Sequence, residues 1–134
     1  MSWEKAAYTR AGAALLSESV SGGALIITRA LAATEASNSD LAEAVTLSGE
    51  THEVDILGID TVENDGKPAR RVSIQITAGQ TAYICHQVGV YGKLDTGPDE
   101  TLLMVVQDDR GVEIPAASTS SDFKIELAVL LAVS

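Results

Sequence analysis

The stretch "CHQVGVYGKLDTGPDETLLMVVQDDRGVEIP", Cys85 to Pro115, decides how the rest of the chain is read. Two β-compatible runs stand on either side of "DTGPDE", whose Asp, Gly and Pro are turn formers, so one strand leads into a turn and a second strand runs back. The second run is apolar on both faces: Leu102, Met104 and Val106 alternate with Leu103 and Val105. The same holds near the end of the chain, where Leu127, Val129 and Leu131 alternate with Ala128, Leu130 and Ala132. A strand hydrophobic on both sides has to be covered twice, by a helix or second sheet of its own chain or by a neighbouring subunit.

Working outward, "HEVDILGIDTV" and "ARRVSIQIT" flank "ENDGKP" as the two arms of a hairpin. In its second arm Val72, Ile74 and Ile76 share one face, with Arg71, Ser73, Gln75 and Thr77 on the other, the pattern of a half-buried strand. Upstream, "ALIITRALA" is a further β-compatible run, and "TEASNSDLAEA" a polar loop with room for a short helical turn from Ser39. From Ser2 to about Ser21, apolar residues recur at helical spacing through Trp3, Ala7, Ala11, Ala14 and Leu15. Ser2 would be the N-cap, Glu4 would sit in the first turn and Gly22-Gly23 would be the stop. The expected fold is α+β but mostly β. A single N-terminal amphipathic helix over 1–22 packs on an antiparallel β-sandwich-like core over 23–134, all in one domain. With only one helix to cover two-sided strands, a homo-oligomeric interface is expected, with Leu127, Val129, Leu130 and Leu131 as core and seam.

The chain's 134 residues suffice for one core without a disulfide or metal staple. Nineteen acidic against nine basic side chains give a formal charge of −10, which repels phosphate backbones and anionic membrane surfaces. Nucleic acid and membrane are therefore poor partners. The single Cys85 forms no internal disulfide, the N-terminus lacks a signal-peptide core, and the longest apolar run, "LAVLLAV", falls far short of a membrane helix. A soluble chain assembled in a cytoplasm is the simplest reading. Aromatic residues are 4% of the chain, too few for the stacking platforms of a lectin or an RNA binder.

Reactive residue types are present but do not compose a site. Asp95-Thr96-Gly97 carries the triplet of dimeric aspartic proteases, whose two aspartates share a proton. Here it runs into Pro98-Asp99-Glu100, which extends a turn and adds competing carboxylates. Cys85 and His86 are neighbours whose side chains point to opposite faces of a strand, so they form no nucleophile–base pair. His52 lacks a second histidine at metalloprotease spacing, and no set of three or four zinc ligands is spaced together. Asp108-Asp109-Arg110-Gly111 reads as a tight turn without the ligand spacing of a calcium loop. No enzyme, metal or cofactor is expected.

Four stretches together resemble the N-terminal attachment domain of phage tail-collar and tail-fibre proteins: "YTRAGAALLSESVSGGALIITRALA", "VENDGKPARRVSIQI", "YICHQVGVYGKLDTGPDETLLMVVQD", and "EIPAAS" with "FKIELAVLLAV". The third resembles the family's apolar-x-Glu-apolar-Gly-apolar-Tyr strand, placing Gln87, Gly89 and Tyr91 in the motif, with Gln87 where the family often has glutamate. Pro115 matches its closing Ile-Pro. The resemblance implies a structural virion protein, a homo-oligomer with a trimer favoured, docked to baseplate or tail-tube proteins and assembled in a bacterial host's cytoplasm. The chain would lack its own receptor-binding tip. Trp3 and Tyr8 are the candidate docking anchors. The alternatives from other classes are a small ligand- or carbohydrate-binding β-sandwich and a dimeric aspartic protease.

Overall fold

The computed structural model describes residues 5–15, 25–64, 66–95, 97 and 99–132. Seven strands dominate it: β1 (Lys5–Tyr8), β2 (Leu25–Ala33), β3 (Thr51–Asn64), β4 (Lys67–Thr77), β5 (Tyr83–Leu94), β6 (Thr101–Ile114) and β7 (Lys124–Ala132). They form one antiparallel sheet in the order β1-β6-β5-β2-β3-β4-β7. The sheet curls because its inner face is apolar and must be removed from water. Val72, Ile74 and Ile76 of β4 meet Val88 and Val90 of β5, Leu103 of β6 and Leu131 of β7 in one buried cluster. The curl brings the two ends of the strand order together: the Tyr8 hydroxyl on β1 donates to the Leu130 carbonyl on β7 at 3.3 Å.

The hairpin pattern in β3 and β4 holds as expected, with Asn64↔Lys67 as its last pair and Gly66 at a φ of 77° in the turn. Val72, Ile74 and Ile76 are fully buried, and Arg71 on the opposite face pairs with Asp60 through Nη2–Oδ2 at 2.6 Å. β3 pairs with β2 only from Thr51 to Val54 and thereafter with β4 alone, so the sheet opens there towards a sandwich. Arg70 spans part of the opening, its Nη1 donating to the Leu25 carbonyl at 2.7 Å.

Two local expectations are corrected. The N-terminal helix does not run from Ser2: Lys5–Tyr8 is a strand in register with Gln107 to Met104, and the described helical residues are 10–15. The N-cap is Thr9, fully buried, whose Oγ1 accepts the Gly12 amide at 2.9 Å and whose hydroxyl donates to the Leu102 carbonyl. Capping by Thr9 serves the helix and β6 at once, and the exposed edge of β6 offers Lys-Ala-Ala-Tyr a ladder of hydrogen bonds that a frayed first turn lacks. Ser2, Trp3, Glu4 and residues 16–24 lie outside the described residues. Secondly, Asp108 to Gly111 does not end a strand. β6 continues to Ile114 through a bulge in which His86 alone stands opposite those residues, since Cys85 pairs with Val112 and Gln87 with Gln107. Asp108 Oδ1 accepts the Arg110 amide at 2.9 Å, and Gly111 takes a φ of 81°.

Replacing Thr9 by Ala removes both the cap and the link to Leu102. It should destabilise the protein by about 1–3 kcal/mol in urea unfolding, whereas Arg10→Ala, which loses only the exposed ion pair with Glu43, should cost far less.

Candidate functional site

Between β2 and β3 the chain leaves the sheet and returns over residues 34–50, a strap laid on the outer face of β2, β5 and β6. Its only regular element is a single 3₁₀ turn, Leu41–Glu43, capped by Asp40, whose carboxylate accepts the Ala42 amide at 3.0 Å. The two ends are drawn together where Thr34 N–H donates to the Glu50 carbonyl at 3.1 Å and Glu35 N–H to the Ser48 carbonyl at 3.2 Å. Leu41 and Leu47 of the strap are buried with Leu31, Ala33, Tyr91, Leu102 and Val105 in a second apolar cluster. The outer face of the two-sided run "LLMVV" is thus covered by a loop of the same chain, instead of by a helix, a second sheet or a neighbouring subunit.

An irregular segment on an apolar sheet leaves backbone groups without partners, and buried side chains supply them here. Gln107, fully buried, treats Ser37 as one strand treats another: Oε1 accepts the Ser37 amide at 2.9 Å and Nε2 donates to the Ser37 carbonyl at 3.1 Å. Its remaining valences are filled by Gln87 Nε2 at 2.7 Å and by Asp109 Oδ1 at 2.7 Å. Gln87, 2% exposed, accepts the Ser48 amide at 2.8 Å. Tyr91 hydrogen-bonds the Leu47 backbone, and its phenol pKa is raised, chiefly by burial. Between these two, Gly89 leaves the space that Leu47 fills, since a Cβ there would lie 2.7 Å from Leu47 Cδ2 and 2.8 Å from Leu102 Cδ1.

Gln87, Gly89 and Tyr91 pair with Ala33, Leu31 and Arg29 of β2 and face the strap at successive outward positions. The sequence motif is therefore one mechanical unit: an amide for Ser48, a gap for Leu47 and a phenol for the Leu47 backbone. Further anchors hold its surroundings. Lys5 Nζ lies 2.9 Å from Asp109 Oδ2, and the Lys5 contact, then the Gln107 hydrogen bond, hold the Asp109 carboxyl below its ordinary value. At the other end Glu100 is lowered first by the Thr28 hydroxyl and then by Arg29, whose Nε donates to it at 2.9 Å while the guanidinium lies 5.0 Å above the Tyr91 ring. Gln107, Ser37 and Leu47 were not singled out by the sequence. The adjacent "VVQD" and "TLS" hold only a buried-strand glutamine and an isolated leucine as signals.

The remaining sequence candidates fall in several places. Trp3 lies outside the described residues. Tyr8 is half-buried in β1 and closes the sheet edges. On β7, Val129 and Leu131 are buried in the core and Leu127 packs against it, while Leu130 faces outward, 39% exposed. Pro115 anchors the turn before β5, its carbonyl accepting the Gly79 amide at 3.0 Å. Asp95 is exposed at the β5–β6 turn, where Gly97 N–H donates to the Leu94 carbonyl at 3.0 Å. Cys85 is fully buried in the core, its thiol pushed up to about 11, chiefly by burial. His86 lies against the bulge, its Nδ1 3.0 Å from the Asp108 carbonyl. His52 stacks on Tyr83 with ring centroids 3.9 Å apart, and its Nε2 lies 3.1 Å from Glu50 Oε1 without hydrogen-bond alignment. Among the described residues no three His, Cys, Asp or Glu side chains are placed to hold a metal ion.

A second surface feature lies on the outward face of β3, β4 and β7. Three cross-strand rows follow from the register: Asp55–Gln75–Glu126, then Gly58–Ser73–Ala128, then Asp60–Arg71–Leu130. The middle row is small, so the face carries a trough of about 650 Å³ with Leu57, 52% exposed, in its lining.

Gln87→Glu should destabilise the protein by about 2 kcal/mol at pH 7, because a carboxylate cannot donate to the Gln107 oxygen already bound to Ser37. The loss should shrink as the pH falls and the carboxyl regains its proton, and pH-dependent urea unfolding of both proteins reads it. For Cys85 the folded pKa lies above the ordinary thiol value of 9.0, so its stabilising contribution is intact below pH 9 and is lost as pH rises towards 11. A disulfide reagent at pH 8 should therefore label the thiol only at the rate of unfolding. Comparison with known protein families, curated proteins and solved structures gave no match.

Proposed function

We propose that this chain is a structural module of a phage or phage-like tail, a collar or fibre-attachment element that self-associates and docks to baseplate or tail-tube proteins. The reading rests on the family resemblance. The observation that carries it furthest is that Gln87, Gly89 and Tyr91, the motif residues of that resemblance, form one buried unit that seats an irregular strap on the sheet. Such a build suits a part that transmits force or fixes position, and it spends its buried polar groups on architecture.

For self-association, with a trimer favoured, the outward trough of β3, β4 and β7 is the surface that supports the reading. Leu57 lies in it beside small residues that let a partner approach closely, and Leu130 is exposed on the same face, on the strand at one end of the sheet order. Trp3 and Tyr8 remain the proposed docking anchors near the start of the chain, and the virion the proposed location, reached by assembly in a bacterial cytoplasm.

Light scattering of the purified chain should give the mass of a homo-oligomer. Leu57→Glu with Leu130→Glu should lower that mass to a monomer's while moving the thermal midpoint little, as both positions are exposed. A monomeric parent protein, or an oligomer indifferent to both changes, would remove the trough from the reading.

A further inference from the structure

We propose that the outer face of β5 and β6 is a receptor for an irregular chain segment, occupied in cis by the strap, and that a released face takes the strap of a second copy. The inference rests on the homo-oligomeric reading above for its partner but not for its chemistry. Three observations carry it. The receptor groups lie on the sheet, fixed by strand pairing: Gln87 and Tyr91 on β5, Gln107 on β6, with Gly89 as the gap between. They bind the strap through its backbone at Ser37, Leu47 and Ser48, and through Leu47, which enters the gap, with Leu41 buried beside it. The strap in turn has little hydrogen bonding of its own beyond one 3₁₀ turn and the pairing of its two ends.

That division has a physical consequence. A segment whose backbone is satisfied by another element's side chains opens at lower cost than the strands that present those side chains, because opening breaks no ladder within the sheet. Gly49, at a φ of 82°, lets the strap turn back into β3 against Thr34 and Glu35, so the two ends stay paired while the segment between them can lift. Once open, the face presents an apolar gap flanked by two primary amides and a phenol. These are groups that pair with peptide N–H and C=O groups, and the strap's own sequence is the one that the structure seats on them. A second copy supplies that sequence at the same surface, so exchange of straps needs no new interface chemistry.

The test uses the full chain and a fluorescein-labelled peptide of residues 36–49. Leu47→Ala in the protein weakens the cis strap and leaves the receptor groups in place, so the peptide should bind this variant about tenfold or more tighter than the parent, in which the cis strap competes. A peptide carrying Leu47→Asp should not bind, and Gly89→Val in the Leu47→Ala protein should abolish binding by filling the gap. Equal anisotropy with both peptides, or no binding to the Leu47→Ala protein, would overturn the proposal. Hydrogen exchange on the parent protein covers the case of a variant that does not fold: amides of 37–48 should exchange at least tenfold faster than those of 87–91, and equal protection would overturn it. The parent's mass from light scattering answers the assembly reading separately, since peptide binding to a monomer supports the receptor and rejects only the oligomer.

Discussion

A loop can lie on an apolar sheet only if its peptide groups find partners there, and the structure turns on how that requirement is met. The side chains of Gln87 and Gln107 act as detached peptide units. Gln107 in particular donates to and accepts from Ser37 in the manner of a neighbouring strand, with all four of its hydrogen-bonding sites filled. Because Gln107 Oε1 takes the Ser37 amide and can only accept, Gln87 must present its own nitrogen to it, which fixes the orientation of both amides. The strap can then bury Leu41 and Leu47 without leaving an orphaned backbone, and the outer face of β6 is covered from within the chain.

The inner face obeys a simpler rule. An antiparallel sheet with one strongly apolar face curls until that face is enclosed, and the strands at its two ends approach one another. Closure here draws on the Tyr8 hydroxyl, which donates to the Leu130 carbonyl, and on Thr9 as cap and as partner of β6. Gly12 belongs to the same junction, since a Cβ there would lie 2.5 Å from the Leu103 carbonyl oxygen. The region where β1 passes into the helical residues is thus fitted against the β6 backbone and cannot be moved along the chain without losing the cap.

The strands were legible from the sequence because alternation and turn formers report local periodicity. β4 shows this well, with its three isoleucine and valine positions falling in the core and its polar positions outside. The turn between β5 and β6 was legible for the same reason. The start of the helix was not, since Ser2 and Thr9 are both acceptable caps and only the edge of β6 decides between them. The bulge at Asp108 to Gly111 carries turn residues, and whether such residues end a strand or kink it depends on the partner strand, where His86 is the lone opposite residue. The two-sided run "LLMVV" announced a second cover but not its sides: a register shift at Leu103 turns Leu102 and Val105 outward and Leu103, Met104 and Val106 inward, so the strict alternation does not hold. What it could not announce was that the cover is a polar loop, because the qualification of that loop lies in two glutamines and a glycine on other strands.

For the assembly reading, the consequence is a separation of roles. With the strap docked, the face beneath it is occupied by its own chain, and the trough on β3, β4 and β7 is a surface that a partner reaches without any strap being released. Whether the strap docks as one unit is the claim on which both the fold and the receptor inference depend. Gln107 grips one end of it and Leu47 fills a gap near the other, so a double-mutant cycle of Gln107→Ala and Leu47→Ala in urea unfolding tests it directly. A strap that docks as a unit predicts that the double variant loses at least about 1 kcal/mol less than the sum of the single losses, and additivity within about 0.5 kcal/mol would contradict the account.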